Sequence, residues 1–413
     1  MKKEEFYQEA LPNCKGPLEG LHVLEASTSG AGPWAGTLLT DMGAETIKID
    51  QPKVGDVSRH IPPFVDVEDP INTSSFYMSI NRGKKNLTLE LKEPEGQEIF
   101  RELARQADVV IQNYKPGTMD RWKIGYEDIQ RIKPNIIYTS ISGFGQFGPW
   151  SHKPSYNPVG EAWGGIMHVT GYPDGPPTQS GNAMCDNISG WLAAYATMTA
   201  LFHRQRTGEG QHVDISQADT MLYTSGLGIM TAANTDFNWS RRGNRSDIVS
   251  PANNYHCRDG YVYICALRDA HWITLCGVIG REDLGCDPTL QTVADRAARG
   301  PFIDQVIEEW TRDKGVEEIV ALLDEAGIVV TAIPDFQQII RTEHILERDM
   351  VVEVEHPAAG PVKLYGVGPK LSRTPGRVQG PAPLLGEHTD EILEDRLKYS
   401  PKNIRSLRDK GVI

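Results

Sequence analysis

The chain has 413 residues, 39% of them hydrophobic, which is enough for a large core and more than one average domain holds; two domains are expected and disorder is not. Its 55 acidic and 42 basic residues leave a net charge of −13, with no basic run suited to nucleic acid or an anionic membrane, so neither polymer is an expected partner. No stretch approaches ~18 consecutive apolar residues, and Met1–Glu5 carries charge with no apolar segment behind it, so the chain is expected to be cytoplasmic.

In chain order, Leu21–Glu25 and Glu45–Asp50 read as short strands around a helix at Pro33–Met42, which makes a βαβ unit. Asn86–Leu91 alternates like a strand, Pro94–Gln106 reads as a helix and Ala107–Gln112 as a buried strand. Arg121–Ile132 is expected to be helical and Ile136–Ser140 to be a further parallel strand. Alternation of this kind predicts an α/β fold with a Rossmann-like, doubly wound large domain, whose ligands sit beyond the carboxyl ends of the strands. Ser189–Arg206 is apolar nearly all round and ends in basic residues before Gly208, as a buried helix does, and Val213–Ile215 is a short strand. Residues 216–250 are expected as a linker, 251–330 as a smaller α+β domain opening on a hairpin at Asn254–Leu267, 331–386 as a return linker, and 387–413 as helices that complete the large domain. The large domain itself is expected to begin at residue 17, after an extension over 1–16.

The six cysteines form no CxxC pair and the eleven histidines no HExxH spacing, so reduced thiols are expected and no metal site. Ser29-Gly30-Ala31-Gly32-Pro33-Trp34-Ala35-Gly36 follows a strand and opens a helix, giving GxGxxxG, with Asp50 ending the next strand. That pattern suits a nicotinamide dinucleotide, another anionic or thioester ligand held by backbone N–H groups, or a tight turn with no ligand. Cations after the next strands (Arg82, Lys84, Lys85, Lys115, Arg121, Lys123) suit a phosphorylated ADP handle or a solvated surface. Asp186 sits where a helix N-cap is expected. A carboxylate there either caps the helix or, kept ionised by the dipole while poorly hydrated, serves as a nucleophile, and local pattern does not choose between the two. Cys185 reads as buried packing, and His152 and His168 as loop histidines.

Taken together, GPLEGLHVLEASTSGAGPWAG, DMGAETIKIDQPKVGDVSR, NRGKKNLTLELK, ADVVIQNYKPGTMDRW, SISGFGQFGP, TGYPDGPPTQSG, RTGEGQHVDIS and PAPLLGEHTDEIL resemble the family III coenzyme A transferases, the group that holds formyl-CoA:oxalate transferase and carnitine CoA-transferase. The resemblance implies a large domain built from both chain ends, a small domain, and two chains interlocked as a dimer, with a heteromer as the alternative. It makes Asp186 the nucleophile, passing through an acyl-aspartyl anhydride and an aspartyl-CoA thioester, with Gly30 and Tyr156 beside the reacting groups. CoA is then substrate, no cofactor is tightly bound, and the CoA contacts fall on Ser29, Lys84, Asn113, Tyr114, Arg121, Trp122 and Tyr156.

Three departures bear on substrate. Formyl-CoA transferase has glutamine and glutamate where this chain has Gly30 and Asn157, and its small-domain glycine run is replaced here by Ser250–Tyr255. The space left by Gly30, with Trp34 and Trp163 nearby, suggests a bulky, aromatic or dicarboxylic acid such as benzylsuccinate, with succinyl-CoA as donor. An α-methylacyl-CoA racemase, a nicotinamide dehydrogenase and a non-catalytic acyl-CoA-binding subunit are the competing readings; the racemase would need a histidine near Ser155–Asn157, where there is none.

Overall fold

A computed structural model describes every residue except Asp247 and divides the chain into two compact units. The first comprises Met1–Met167, Gln179–Asn238 and His344–Ile413. Its centre is a six-stranded parallel sheet: β1 (His22–Ala26), β2 (Glu45–Asp50), β3 (Lys85–Thr88), β4 (Val109–Gln112), β5 (Ile137–Ser142) and β6 (Gln211–Ser216), in the order β3-β2-β1-β4-β5-β6. Because side chains alternate faces along a strand, Val23, Val109 and Ile111 pack on one side with Ala35 and Leu39 of helix 31–41 and Ala193 and Leu201 of helix 184–207. Leu24 and Val110 pack on the other with Phe100 and Leu103 of helix 94–106 and with Ile392, Leu393, Ile404 and Leu407 near the chain's end. Apolar layers on both faces explain why these strands read as near-continuous hydrophobic runs. The strand order reverses between β1 and β4, so the loops after β1, β4 and β5 open a crevice at the carboxyl edge.

Three local expectations change. The helix expected over Arg121–Ile132 is two, Thr118–Arg121 and Tyr126–Ile132, broken where Lys123 turns left-handed (φ 56°). Within the expected linker 216–250, Gln217–Thr224 and Gly226–Asn234 are helices, the first capped by the Ser216 side chain. Within the expected return linker, β10 (Val351–His356) and β11 (Gly360–Tyr365) pair antiparallel; Val352 opposes Leu364 and Val354 opposes Val362, giving an apolar face that packs with Tyr77, Met78 and Ala382.

The second unit comprises His168–Thr178 and Trp239–Glu343. It holds an antiparallel sheet of β7 (Ala252–Cys257), β8 (Gly260–Cys265) and β9 (Val329–Ala332), and the expected hairpin is its first two strands. Helices 269–278, 300–311 and 316–325 cover the sheet through Trp272, Leu275, Ile303, Ile307, Ile319 and Leu323. Among the described residues no helix is long and apolar enough to cross a membrane, and no cluster of three His, Cys, Asp or Glu residues could hold a metal.

Candidate active site

The loop after β1 is fixed from two sides. Asn113, just past β4, accepts from the Thr28 N–H at 2.8 Å and donates to the Thr28 carbonyl at 2.6 Å. Asp56 accepts from Thr28 Oγ1 (3.0 Å) and from the Ser29 N–H (2.9 Å), which holds Ser29 in a left-handed conformation (φ 70°). Gly30 then starts helix 31–41, and the helix's unbonded first N–H groups lie at the crevice.

Beneath this loop three cations meet three carboxylates, all buried. Lys48 pairs with Glu25 (3.2 Å), Asp50 (3.7 Å) and Asp56 (2.8 Å), Lys84 with Glu25 (2.7 Å), and Arg59 with Asp50 (3.0 Å). Charges this deep persist only when paired. Two expectations are corrected here. Lys84, expected at a CoA phosphate, is an internal residue; its ammonium also donates to the carbonyls of Pro33 and Ile80 and to Asn81, and burial pushes it down to about 8 against the pull of Glu25. Asp50, where a dinucleotide ribose would be read, is taken by Arg59, Lys48 and Asn86, which removes the basis of the dehydrogenase reading. Lys84→Met should therefore lower stability by about 3 kcal/mol, the scale for breaking a buried pair, and leave KM for acyl-CoA unchanged, as checked by urea unfolding and steady-state kinetics.

Asp186 reaches the same crevice from helix Met184–Thr207, where it occupies the third helical position; the expected N-cap place belongs to Ala183. Asn157 accepts from the Asp186 N–H at 3.1 Å and donates to Glu161 at 2.9 Å, and buried Glu161 in turn receives the Ser180 N–H and hydroxyl (2.9 and 2.8 Å). This chain of bonds ties the helix start to the segment before it. Gln217, the residue after β6, donates to Asp186 Oδ1 at 2.5 Å. Burial pushes the Asp186 carboxyl up to about 6; the Gln217 bond resists the rise and Glu161 adds to it. The neighbouring Cys185 thiol is driven by burial to about 12, which fits packing and not nucleophilic chemistry.

Gly30 is required by this approach and not by its backbone, since its φ is −111°. A Cβ there would lie 2.3 Å from Asp186 Oδ2. The space that suggested a bulky acid is thus filled by the Asp186 carboxylate. Trp34 packs against Gly190 and Tyr365, and Trp163 against Trp150, and neither lines the cleft.

The cleft encloses about 310 Å³. Ser29, Gly30, Asn113, Tyr114, Tyr156 and Asp186 line it together, with Lys115, Lys153, Ser155 and Gln217. Tyr156 is 73% exposed. Arg121 and Trp122 lie outside it: Arg121 is exposed and bonds Thr118, and Trp122 backs the Tyr114 ring edge-on at 5.1 Å. Gln217, Glu161 and Asp56 were not foreseen, although Gln217 follows a strand end, where ligand-facing residues are expected.

A family model described as CoA-transferase family III matches residues 18–389. The chain belongs to this family. It is 33% identical over 403 residues to the succinyl-CoA–D-citramalate CoA-transferase of Chloroflexus aurantiacus, covering 96% of this chain and 98% of that one. It is 35% identical over 385 residues to the succinyl-CoA:mesaconate CoA-transferase of Haloarcula hispanica (92% and 96% covered). The crystal structure of a CAIB/BAIF family protein from Brucella suis superposes with a TM-score of 0.85 at 31% identity, covering 92% of this chain and all of that one. This family III protein is accordingly a CoA-transferase, an enzyme whose substrates are CoA thioesters and carboxylic acids.

Proposed function

We propose that the enzyme transfers CoA from succinyl-CoA to a short dicarboxylic acid, with Asp186 as covalent nucleophile. The observation that carries this is the position of Asp186, the one carboxylate among the described residues that line the cleft, against the Gly30 loop. In the proposed sequence Asp186 adds to the succinyl carbonyl and the C–S bond breaks, leaving a mixed anhydride and CoA thiolate. The thiolate adds to the Asp186 carboxyl carbon and expels succinate, leaving an aspartyl thioester. The acceptor acid then runs both steps backwards. Covalent catalysis of this kind turns one difficult exchange into several at activated carbonyls. Both relatives are named for succinyl-CoA and a short dicarboxylic acid, which supports an acceptor of that class. Lys115 and Lys153 offer cations for a distal carboxylate or for CoA phosphate. Among the described residues that line the cleft there is no histidine to serve as imidazole base for an α-proton.

The test is intact-mass analysis after incubation with succinyl-CoA alone. A CoA adduct that maps to Asp186 is expected, and its absence alongside active turnover would remove the proposal. A homodimer belongs to the same reading: Trp191, Tyr195 and Phe202 on helix 184–207 and Tyr223 and Leu227 beyond it are exposed, an apolar set that a second copy would cover. Sedimentation at single-chain mass would count against it.

A further inference from the structure

We propose that Gln217 is a catalytic residue for the aspartyl steps: its amide is the oxyanion donor for attack on the Asp186 carboxyl carbon. The inference rests on the Asp186 nucleophile reading and assigns different work to the two carboxylate oxygens. Gln217 begins helix 217–224 directly after β6 and is 7% exposed. Its Oε1 accepts from Ser155 Oγ at 3.2 Å, which turns the amide so that Nε2 donates to Asp186 Oδ1 at 2.5 Å. Oδ2 lies over Gly30, where no side chain intervenes. Oδ2 is therefore the attacking oxygen, and Oδ1 stays behind as the carbonyl oxygen of the aspartyl group.

In the anhydride, Oδ2 bridges to the substrate acyl carbon. When CoA thiolate adds to Cγ, the displaced electron pair settles on Oδ1. Collapse of that adduct breaks the Cγ–Oδ2 bond and the first acid departs as its carboxylate. The acceptor carboxylate later adds to the Cγ of the thioester, again placing the charge on Oδ1, and collapse expels the thiolate. A resting carboxylate shares its charge between two oxygens, whereas each tetrahedral adduct concentrates a full charge on Oδ1, so the same N–H donor binds the adduct more tightly than the ground state. The other additions, at the substrate carbonyl, put charge on the substrate's own oxygen, which falls to other donors, the Gly30 loop among them.

Gln217→Leu keeps the bulk and removes the donor. With succinyl-CoA and no acceptor, quenched-flow mass spectrometry should show the CoA adduct forming about 10²–10³-fold more slowly than in the wild type, with KM for succinyl-CoA little changed. The acid limb of kcat/KM should also move to higher pH, because the bond that favours ionised Asp186 is gone. Ser155→Ala leaves Gln217 in place but frees its amide to turn, and should show a smaller slowing in the same sense. That variant keeps the proposal testable if Gln217→Leu does not fold. Adduct formation at the wild-type rate in folded Gln217→Leu overturns the proposal, as does slow formation with an unmoved acid limb, which marks a packing role. A wild-type enzyme that turns over with no adduct on Asp186 instead overturns the nucleophile reading beneath it.

Discussion

Asp186→Asn should lose about 10⁴-fold or more in kcat and yet unfold at a higher temperature than the wild type at pH 7–8. The loss follows from removing the nucleophile. The gain follows from linkage. The carboxyl is pushed up to about 6 in the folded protein from an ordinary 3.8, so between those values the folded state holds more protons than the unfolded one, and stability falls as pH rises through that window. The cost is absent below 3.8 and fully present above 6. At about 1.4 kcal/mol per pH unit it is at most about 3 kcal/mol, and partial solvent access reduces it to about 1–3 kcal/mol. An asparagine is uncharged, can still accept from Gln217, and escapes the cost. Calorimetry at pH 7.5 and at pH 4 checks the sign, because the difference between variant and wild type should shrink at the lower pH. The same ionisation should make wild-type turnover fall tenfold per unit below about pH 6. A variant less stable than wild type at both pH values would refute the account.

Gly30→Ala carries the second large effect. The new methyl would come within 2.3 Å of Asp186 Oδ2 and 2.8 Å of its carboxyl carbon, so either the carboxylate turns or the start of helix 184–207 retreats. Displacing a reacting group by about an ångström costs roughly 10²-fold in rate, and we expect a fall in kcat of that order with a smaller change in KM. Because the Gly30 backbone is in a conformation open to alanine, the stability cost is that of overpacking alone, about 1–3 kcal/mol, read as a modestly lower melting temperature. A variant with wild-type kcat would show that the contact does not constrain the carboxylate.

Much of the architecture is legible in the sequence, and the reasons are local. β1, β2 and β4 are short apolar runs whose neighbours are helices, so their period and length mark them without tertiary information. The β10–β11 hairpin escaped because its alternating valines precede residues 370–386, a Pro- and Gly-rich stretch that makes the whole of 331–386 read as a connector, and the helices of 217–234 because they follow a short strand with no charged break. In the cleft, Asp186, Gly30, Asn113, Tyr114 and Tyr156 come together from separate stretches of the chain. Lys84 shows where such reading fails. Flanked by Arg82 and Lys85 it looks like surface, and its depth is decided by Glu25 from a distant strand. Gln217 carries no motif of its own; only the convergence of β6 with the start of the Asp186 helix gives it a partner.

The six buried charges beneath the Gly30 loop have a consequence for how this enzyme can diversify. Each carboxylate there is neutralised by a cation from elsewhere in the chain, so a change at Glu25, Lys48, Asp50, Asp56, Arg59 or Lys84 strands a partner in a dry environment, and neutral drift at any of them is blocked unless two change at once. New acid preferences therefore have to be found outside that cluster, at cleft residues such as Lys153 and Tyr156, which carry none of its ion pairs. The platform is inherited whole, and variation falls on the cleft residues outside it.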